Sequence, residues 1–168
     1  NWIGTGSGSE IRPGGDLHYA YSSDKTPNST VQGLKGSGTL PYNLIAGAGT
    51  SPTDETNTAG SLVTGGSIRV DFDAMSVTNV ELGVTVNSRS IAIAESAPQS
   101  ITNILANQPI VLNGSCTGGS CGGNISMSGE MHMDFVEPGA ELILSSFGLQ
   151  ESKSNPAIAV AGTAVFEK

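Results

Sequence analysis

Residues 124–135 read N-I-S-M-S-G-E-M-H-M-D-F, an alternation that holds for the length of a long strand. Ile125, Met127, Gly129, Met131, Met133 and Phe135 share one side, and Ser126, Ser128, Glu130, His132 and Asp134 the other. Successive side chains of a strand point to opposite faces, so a period of two describes a half-buried β-strand; a helix would bring its apolar residues back every three to four positions.

The same rule extends outward from this stretch. In S-I-R-V-D-F-D-A (67–74), Ile68, Val70 and Phe72 face inward against Arg69, Asp71 and Asp73. In N-V-E-L-G-V-T-V (79–86), Val80, Leu82, Val84 and Val86 alternate with Asn79, Glu81, Gly83 and Thr85. The closing I-A-V-A-G-T-A-V-F (158–166) puts Ile158, Val160, Gly162, Ala164 and Phe166 on one face. Further strands are expected at 17–23, 38–46, 89–95, 108–113 and 140–146, for eight or nine in all. Short turns at N-S-R (87–89) and E-P-G-A (137–140) make neighbours in sequence pair antiparallel.

Many antiparallel strands with one polar face leave two architectures, a two-sheet sandwich or a closed barrel. Glycines on the inward faces, Gly129 and Gly162, favour the barrel, because sharp coiling around a narrow lumen crowds any side chain there. The fold expected is therefore an all-β, eight-stranded, mostly up-and-down barrel over 17–168, with 1–16 as a linker or N-terminal arm. In that arm, Trp2 either packs over a barrel mouth or is the remnant of an upstream domain; the loose Gly/Ser composition around it favours the second. One segment breaks the β pattern. In S-A-P-Q-S-I-T-N-I-L-A-N-Q (96–108), Ile101, Ile104 and Leu105 follow helical spacing with Ser96 or Ser100 as cap, predicting a short helix near 98–106 that plugs one end. Two polar, Gly-rich connections, 24–36 and 47–65, are the expected binding surfaces.

Composition narrows function by exclusion. The 168 residues suit a single domain with its own core, and 23 glycines with 5% aromatics suit turn-rich β structure. Seven Lys and Arg against 15 Asp and Glu give a net charge of −8, which excludes the clustered cations that nucleic acid or an anionic membrane surface demands. No run reaches the roughly 18 apolar residues that span a bilayer as a helix. No membrane insertion of this domain is expected.

The only two cysteines lie in S-C-T-G-G-S-C (115–121). A thioredoxin-type pair is C-x-x-C at a helix N-terminus, and structural zinc takes four ligands; a lone C-x₄-C satisfies neither. A disulfide Cys116–Cys121 across a hairpin tip needs only a Cα approach of about 4.4–6.8 Å, which Gly118 and Gly119 allow. It closes a loop of about six residues, a restriction on the unfolded chain of the order of 2 kcal/mol, and it implies an oxidising compartment. The methionines around His132 are soft ligands, but alternation sends His132 to the opposite face from Met131 and Met133, so they read as core. Asp71, Asp73, Glu81, Glu130 and Asp134 fall on outward faces and read as solvated acids, neither a glycosidase pair nor a calcium site. Serines are abundant but no G-x-S-x-G elbow is present, and His18 has no predicted partner. No catalytic residue, metal or cofactor is expected.

Several blocks in order, H-Y-A-Y (18–21), G-T-L-P-Y-N-L (38–44), T-S-P-T-D (50–54), G-S-I-R-V-D-F (66–72), C-T-G-G-S-C-G-G (116–123) before S-G-E-M-H-M-D-F (128–135), and V-A-G-T-A-V-F-E-K (160–168), resemble a family. It is the C-terminal barrel domain of bacterial FecR-domain proteins, itself similar to the barrels of transferrin-binding-protein-like surface lipoproteins. The resemblance covers roughly 17–168. It implies an eight-stranded barrel at the periplasm or outer surface of a Gram-negative bacterium, and a non-enzymatic module that recognises a protein or cell-surface partner through its loops. No cysteine near Asn1 carries over a lipid anchor, and A-E-L-I-L-S-S (140–146) stands where the family often has a G-L-x-Y element. The alternative expectation is a lipocalin-like carrier holding a small apolar ligand in the lumen. Oligomeric state is not readable from the chain.

Overall fold

The structure, a computed structural model, describes residues 18, 20, 22–153 and 157–168. The expected arm at 1–16, Trp2 included, lies outside the described residues, as do Leu17, Tyr19 and Tyr21 of the strand expected at 17–23. Of that strand, His18, Ala20, Ser22 and Ser23 stand outside any ladder, and the nearest pairing is a single antiparallel bridge from Lys25 to Val136.

In chain order the elements are α1 (Asn28–Gly33), β1 (Thr39–Leu44), β2 (Thr53–Asp54), β3 (Ser61–Leu62), β4 (Ser67–Asp71), β5 (Ser76–Val86), β6 (Arg89–Glu95), β7 (Gln99–Ser100), α2 (Ile101–Leu105), β8 (Ile110–Gly118), a 3₁₀ turn (Gly119–Cys121), β9 (Ile125–Val136), β10 (Leu142–Glu151) and β11 (Ala159–Glu167). Hydrogen-bonded neighbours run β1-β4-β5-β6-β8-β9-β10-β11, and β11 returns to β1 through Asn43↔Glu167 and Leu44↔Phe166. Every pairing is antiparallel. Eight strands thus close a ring in chain order, the up-and-down, barrel-like arrangement expected. Closure leaves the main strands no open edge.

The alternation read from sequence decides what fills the ring. Ile68, Val70, Phe72, Val80, Val84, Met131, Phe135 and Phe166 are at most 1% exposed, and the opposite residues of 67–71, 79–86 and 125–134 are half-buried or exposed; in β11 the alternation fails, because Ala159, Ala161 and Thr163 on the opposite face are buried as well. The Phe135 ring meets Tyr42 edge-on and Phe72 at a tilt, each with centroids 6.2 Å apart, and the Tyr42 hydroxyl donates to the Ala140 carbonyl at 2.8 Å. The two inward glycines sit where the coiling demands them. At Gly129 the backbone of Gly148 occupies the space of a Cβ, and at Gly162 a Cβ would lie 2.9 Å from the Phe147 ring and 3.0 Å from Pro52. The β5 strand starts at Ser76, three residues before the clean alternation begins, because a register shift opposite Arg69 and Val70 blurs the period there. Where the β6 ladder onto β5 stops at Glu81↔Ala94, the Glu95 carboxylate accepts the Val80 N–H at 2.5 Å and β7 takes over pairing at Ser76 and Val77.

The two mouths of the ring differ. At one, here the helical end, both helices lie across the lumen. The Ile101 N–H donates to the Met75 carbonyl, Ser100 caps α2 by accepting from the Thr102 N–H, and Ile101 and Ile104 are buried. The short helix α1 was not expected from sequence. It is anchored by N–H donation from Thr26 to Phe135 and from Gly36 to Phe72, and it buries Val31 completely with Leu34 packed beside it. The connection 24–36 is therefore half plug, because its few apolar side chains point into the mouth. At the other mouth lie the Cys116–Cys121 bridge, the turn at 87–88 and the long connection 45–66.

Candidate functional site

The disulfide end is built from three elements. The first is the hairpin clip. Cys116 closes on Cys121 with Cα atoms 6.0 Å apart, and both side chains are buried, so the expected pairing is present at the expected place between β8 and β9.

The second is an ionic cluster. Asn87 and Ser88 both take left-handed backbone, φ 50° and 61°, which is what a two-residue hairpin turn of the primed type requires. That turn sets Arg89 opposite Val86 at the start of β6, and in β6 the buried positions are Arg89, Ile91 and Ile93. Arg89 therefore points the same way as the two isoleucines. It is 5% exposed, and its guanidinium donates from Nη1 to Glu55 Oε2 at 2.9 Å and from Nη2 to Glu55 Oε1 at 2.7 Å. Asp54, fully buried, lies 3.9 Å from the same guanidinium. Its Oδ1 accepts from the Thr56 N–H and hydroxyl and from the Thr58 N–H, and its Oδ2 accepts from Asn87. Glu55 also accepts the Ala159 N–H of β11 at 3.1 Å. Burial by itself would raise both carboxyls, but hydrogen bonds from Thr56, Thr58 and Asn87 hold Asp54 below the usual carboxylate range, and those from Arg89 and Ala159 do the same for Glu55. Hydrogen bonding to Glu55 raises Arg89 further, against the opposing effect of burial.

The third is the connection 45–66 itself. It is not the free loop its composition suggests. β2 pairs with β11 through Val160↔Asp54 and Ala161↔Thr53, β3 pairs with β5 through Ser61↔Thr85 and Leu62↔Val84, and Thr53 bridges to Ala59. Where its two arms part beyond the Gly60-to-Pro52 hydrogen bond, the surface opens into a depression of about 170 Å³ bordered by Leu44, Ala48, Thr50, Pro52, Ser61 and Leu62, and among the described residues no charged side chain lines it. On its outer side His18 finds partners that the sequence did not suggest: Nδ1 lies 2.8 Å from the Thr50 hydroxyl and Nε2 2.6 Å from that of Thr53. The Thr50 N–H donates to the Thr163 hydroxyl of β11 at 2.6 Å.

The other residues singled out by sequence are not brought together. Met127, Met131 and Met133 are buried, while His132 sits half-buried on the opposite face. Asp71 accepts from the N–H groups of Asp73 and Ala74 and so closes the β4–β5 turn, Asp134 pairs with Lys25, and Glu81 and Glu130 are exposed on the outside of different strands. Among the described residues no group of three His, Cys, Asp or Glu side chains is arranged to hold a metal ion, and no helix is long and apolar enough to cross a membrane. Sequence reasoning missed Asp54, Glu55 and Arg89. The signal was there: Arg89 shares the inward face of its strand with Ile91 and Ile93, and Asp54 and Glu55 are the only charged residues between Lys35 and Arg69.

No protein-family model, curated protein or solved structure matches this chain.

Proposed function

We propose that this chain is a non-enzymatic binding module of a Gram-negative cell envelope, the barrel of a FecR-domain-type protein, that recognises a protein or cell-surface partner through its disulfide end. The family and the envelope setting rest on the sequence blocks given above, with the disulfide favouring an oxidising compartment. The observation that carries the recognition reading is the uncharged depression between Leu44, Pro52 and Leu62, set in the connection 47–65 and held by the ring on both sides. A preformed concavity on an anchored connection costs little ordering when a partner binds. At about 170 Å³ it accommodates one anchoring side chain; whole small ligands occupy roughly 300–1,000 Å³. Phe72, Met131, Phe135 and Phe166 occupy the interior of the ring, which weighs against the carrier reading.

The test is retention of partners from an envelope extract on immobilised chain, comparing wild type with Ser61→Arg, which sets a long cation at the rim of the depression. A partner held by wild type and lost by the equally stable variant supports the reading. Equal retention by both, or none by either over repeated extracts, defeats it.

A further inference from the structure

We infer that residues 50–62 form a separately opening panel in the wall of the ring, hinged at the two ends of the connection and latched by Arg89. The strand lengths create the need for it. β1 has six residues and β4 five, whereas β5 has eleven and β11 nine. At the disulfide end β5 and β11 therefore run on past the strands that separate them, and the gap is closed by β3 and β2, each through a ladder of two register pairs. By contrast, β9 and β10 share ten. A section held by so few ladder bonds opens at a lower free energy than the ring around it.

The hinge and latch are visible in the same segment. Gly47 and Gly65 flank the panel with φ of +75° and +93°, a region that glycine occupies without steric cost, which suits both to absorb a change in backbone direction. Across the seam, the panel's Glu55 receives both guanidinium bonds from Arg89 of β6 and the Ala159 N–H of β11, and the panel's Asp54 accepts from Asn87. These bonds join panel to ring, and all of them are lost when the two separate. Beneath lie Val84, Val86, Ile158 and Val160, at most 5% exposed. Opening uncovers that apolar rim together with unpaired edges of β5 at Val84–Thr85 and of β11 at Val160–Ala161, a surface to which an extended segment can add as a strand. The inference needs no partner and stands or falls independently of the recognition reading.

Hydrogen exchange of the intact chain tests it. The reporters are the seam N–H groups of Thr50, Val63 and Ala159, which donate across it to Thr163, Gly83 and Glu55, against those of β9 and β10. The seam amides are expected to exchange at least roughly tenfold faster than the β9–β10 amides. Arg89→Met is expected to speed the panel by roughly a further hundredfold, with β9 and β10, which share the destabilised ground state, still exchanging more slowly than the panel. The oxidised pair Ser61→Cys/Thr85→Cys, at facing exposed positions of β3 and β5, is expected to slow the panel toward the ring rate. Panel and ring exchanging at one rate in wild type, or Arg89→Met leaving panel exchange unchanged, overturns the inference. Should Arg89→Met not fold, the stapled pair decides alone: no slowing of the panel relative to wild type has the same force.

Discussion

The two mouths of this ring are closed by opposite means. At the helical end the seal is apolar, made by Val31, Ile101 and Ile104 lying over Phe72 and Phe135, and the charges stay outside: Asp71, Asp73, Glu137, Glu141 and Glu167 surround it with Lys25, Lys35 and Lys168. At the disulfide end Asp54 and Arg89 go inside with Glu55 half-buried beside them, and the rim is rich in Gly, Ser and Thr, with a covalent clip and the Glu151–Lys153 pair on its surface. An apolar plug is non-directional and tolerates small shifts, whereas an ion cluster holds only in one geometry and is lost as a unit. The helical end is thus a fixed floor, and the disulfide end is a closure whose members depend on one another. Even the clip is tied in, since Gly119 packs so closely over Arg89 that an added Cβ would lie 3.1 Å from its Cγ.

The largest effect expected is on the floor. Phe135→Ala removes the ring shared by Tyr42 and Phe72 and leaves a void beneath α1, so urea unfolding should show a loss of about 3–5 kcal/mol. Both ends should weaken together. A loss confined to exchange of α1 amides, with global stability intact, would mean the floor is a separate lid as well and the contrast between the ends is false.

Next comes the latch. Arg89→Met keeps the alkyl packing and strands the buried Asp54 and the half-buried Glu55, and at pH 7 it should cost about 3 kcal/mol. This is the low end for uncovering a buried charge, because the panel can part from the ring and admit water. Its pH dependence has a definite sign. Asp54 and Glu55 are held below the usual carboxylate range in the fold, so their contribution is complete above the pKa of the unfolded chain, near 4, and fades as pH falls through the lower folded values. The stability difference between wild type and Arg89→Met should therefore shrink on acidification, as seen in denaturation midpoints measured from pH 7 downward. A difference that grows in acid would assign Arg89 a role unrelated to these carboxylates.

Most of the wall was legible in the sequence, and the reason is local. In 67–73, 79–86 and 124–135 each residue's side is decided by its parity, so burial follows from a pattern a reader can count. What was missed depends on partners far along the chain. Val31 looks like one apolar residue in a polar loop until Phe72 and Phe135 are placed beneath it. Thr53–Asp54 and Ser61–Leu62 are too short to show a period, and they become strands only because β11 and β5 offer edges there. Arg89 was readable from parity in R-S-I-A-I-A-E (89–95), where it shares a side with Ile91 and Ile93, but its carboxylate partners lie 34 and 35 residues earlier in a connection with no period to place them. Of the candidate site, the clip and the location of the connection 47–65 were in reach of sequence; its two-sided anchoring was not.

The clip should matter less than the latch. Cys116→Ser/Cys121→Ser frees a loop of about six residues, for an expected loss of the order of 2 kcal/mol by thermal or urea unfolding. Because Gly118 and Gly119 back onto Arg89, the double variant should also loosen the panel, seen as faster exchange at Ala159, whose N–H donates to Glu55 across the seam. If panel exchange is unaffected, the clip and the latch are independent and the disulfide end is a sum of parts.

The smallest effect is the sharpest check on which charges count. Lys25 pairs with Asp134 at the helical end, with side chains 34% and 17% exposed, so water already solvates both ions and competes for the pair. The backbone there is held without them: Thr26 donates to Phe135 and Glu137 to Asp24 through main-chain bonds that a side-chain change leaves in place. Lys25→Met should therefore cost less than about 1 kcal/mol, fall toward zero in 0.5 M salt, and leave panel exchange untouched. Arg89→Met, by contrast, should keep most of its cost in salt, since the guanidinium and Asp54 are shielded from bulk ions, with side chains 6% and 0% exposed. Equal salt sensitivity of the two variants would mean that the disulfide-end cluster is wet, and that what distinguishes the two mouths is composition and not burial of charge.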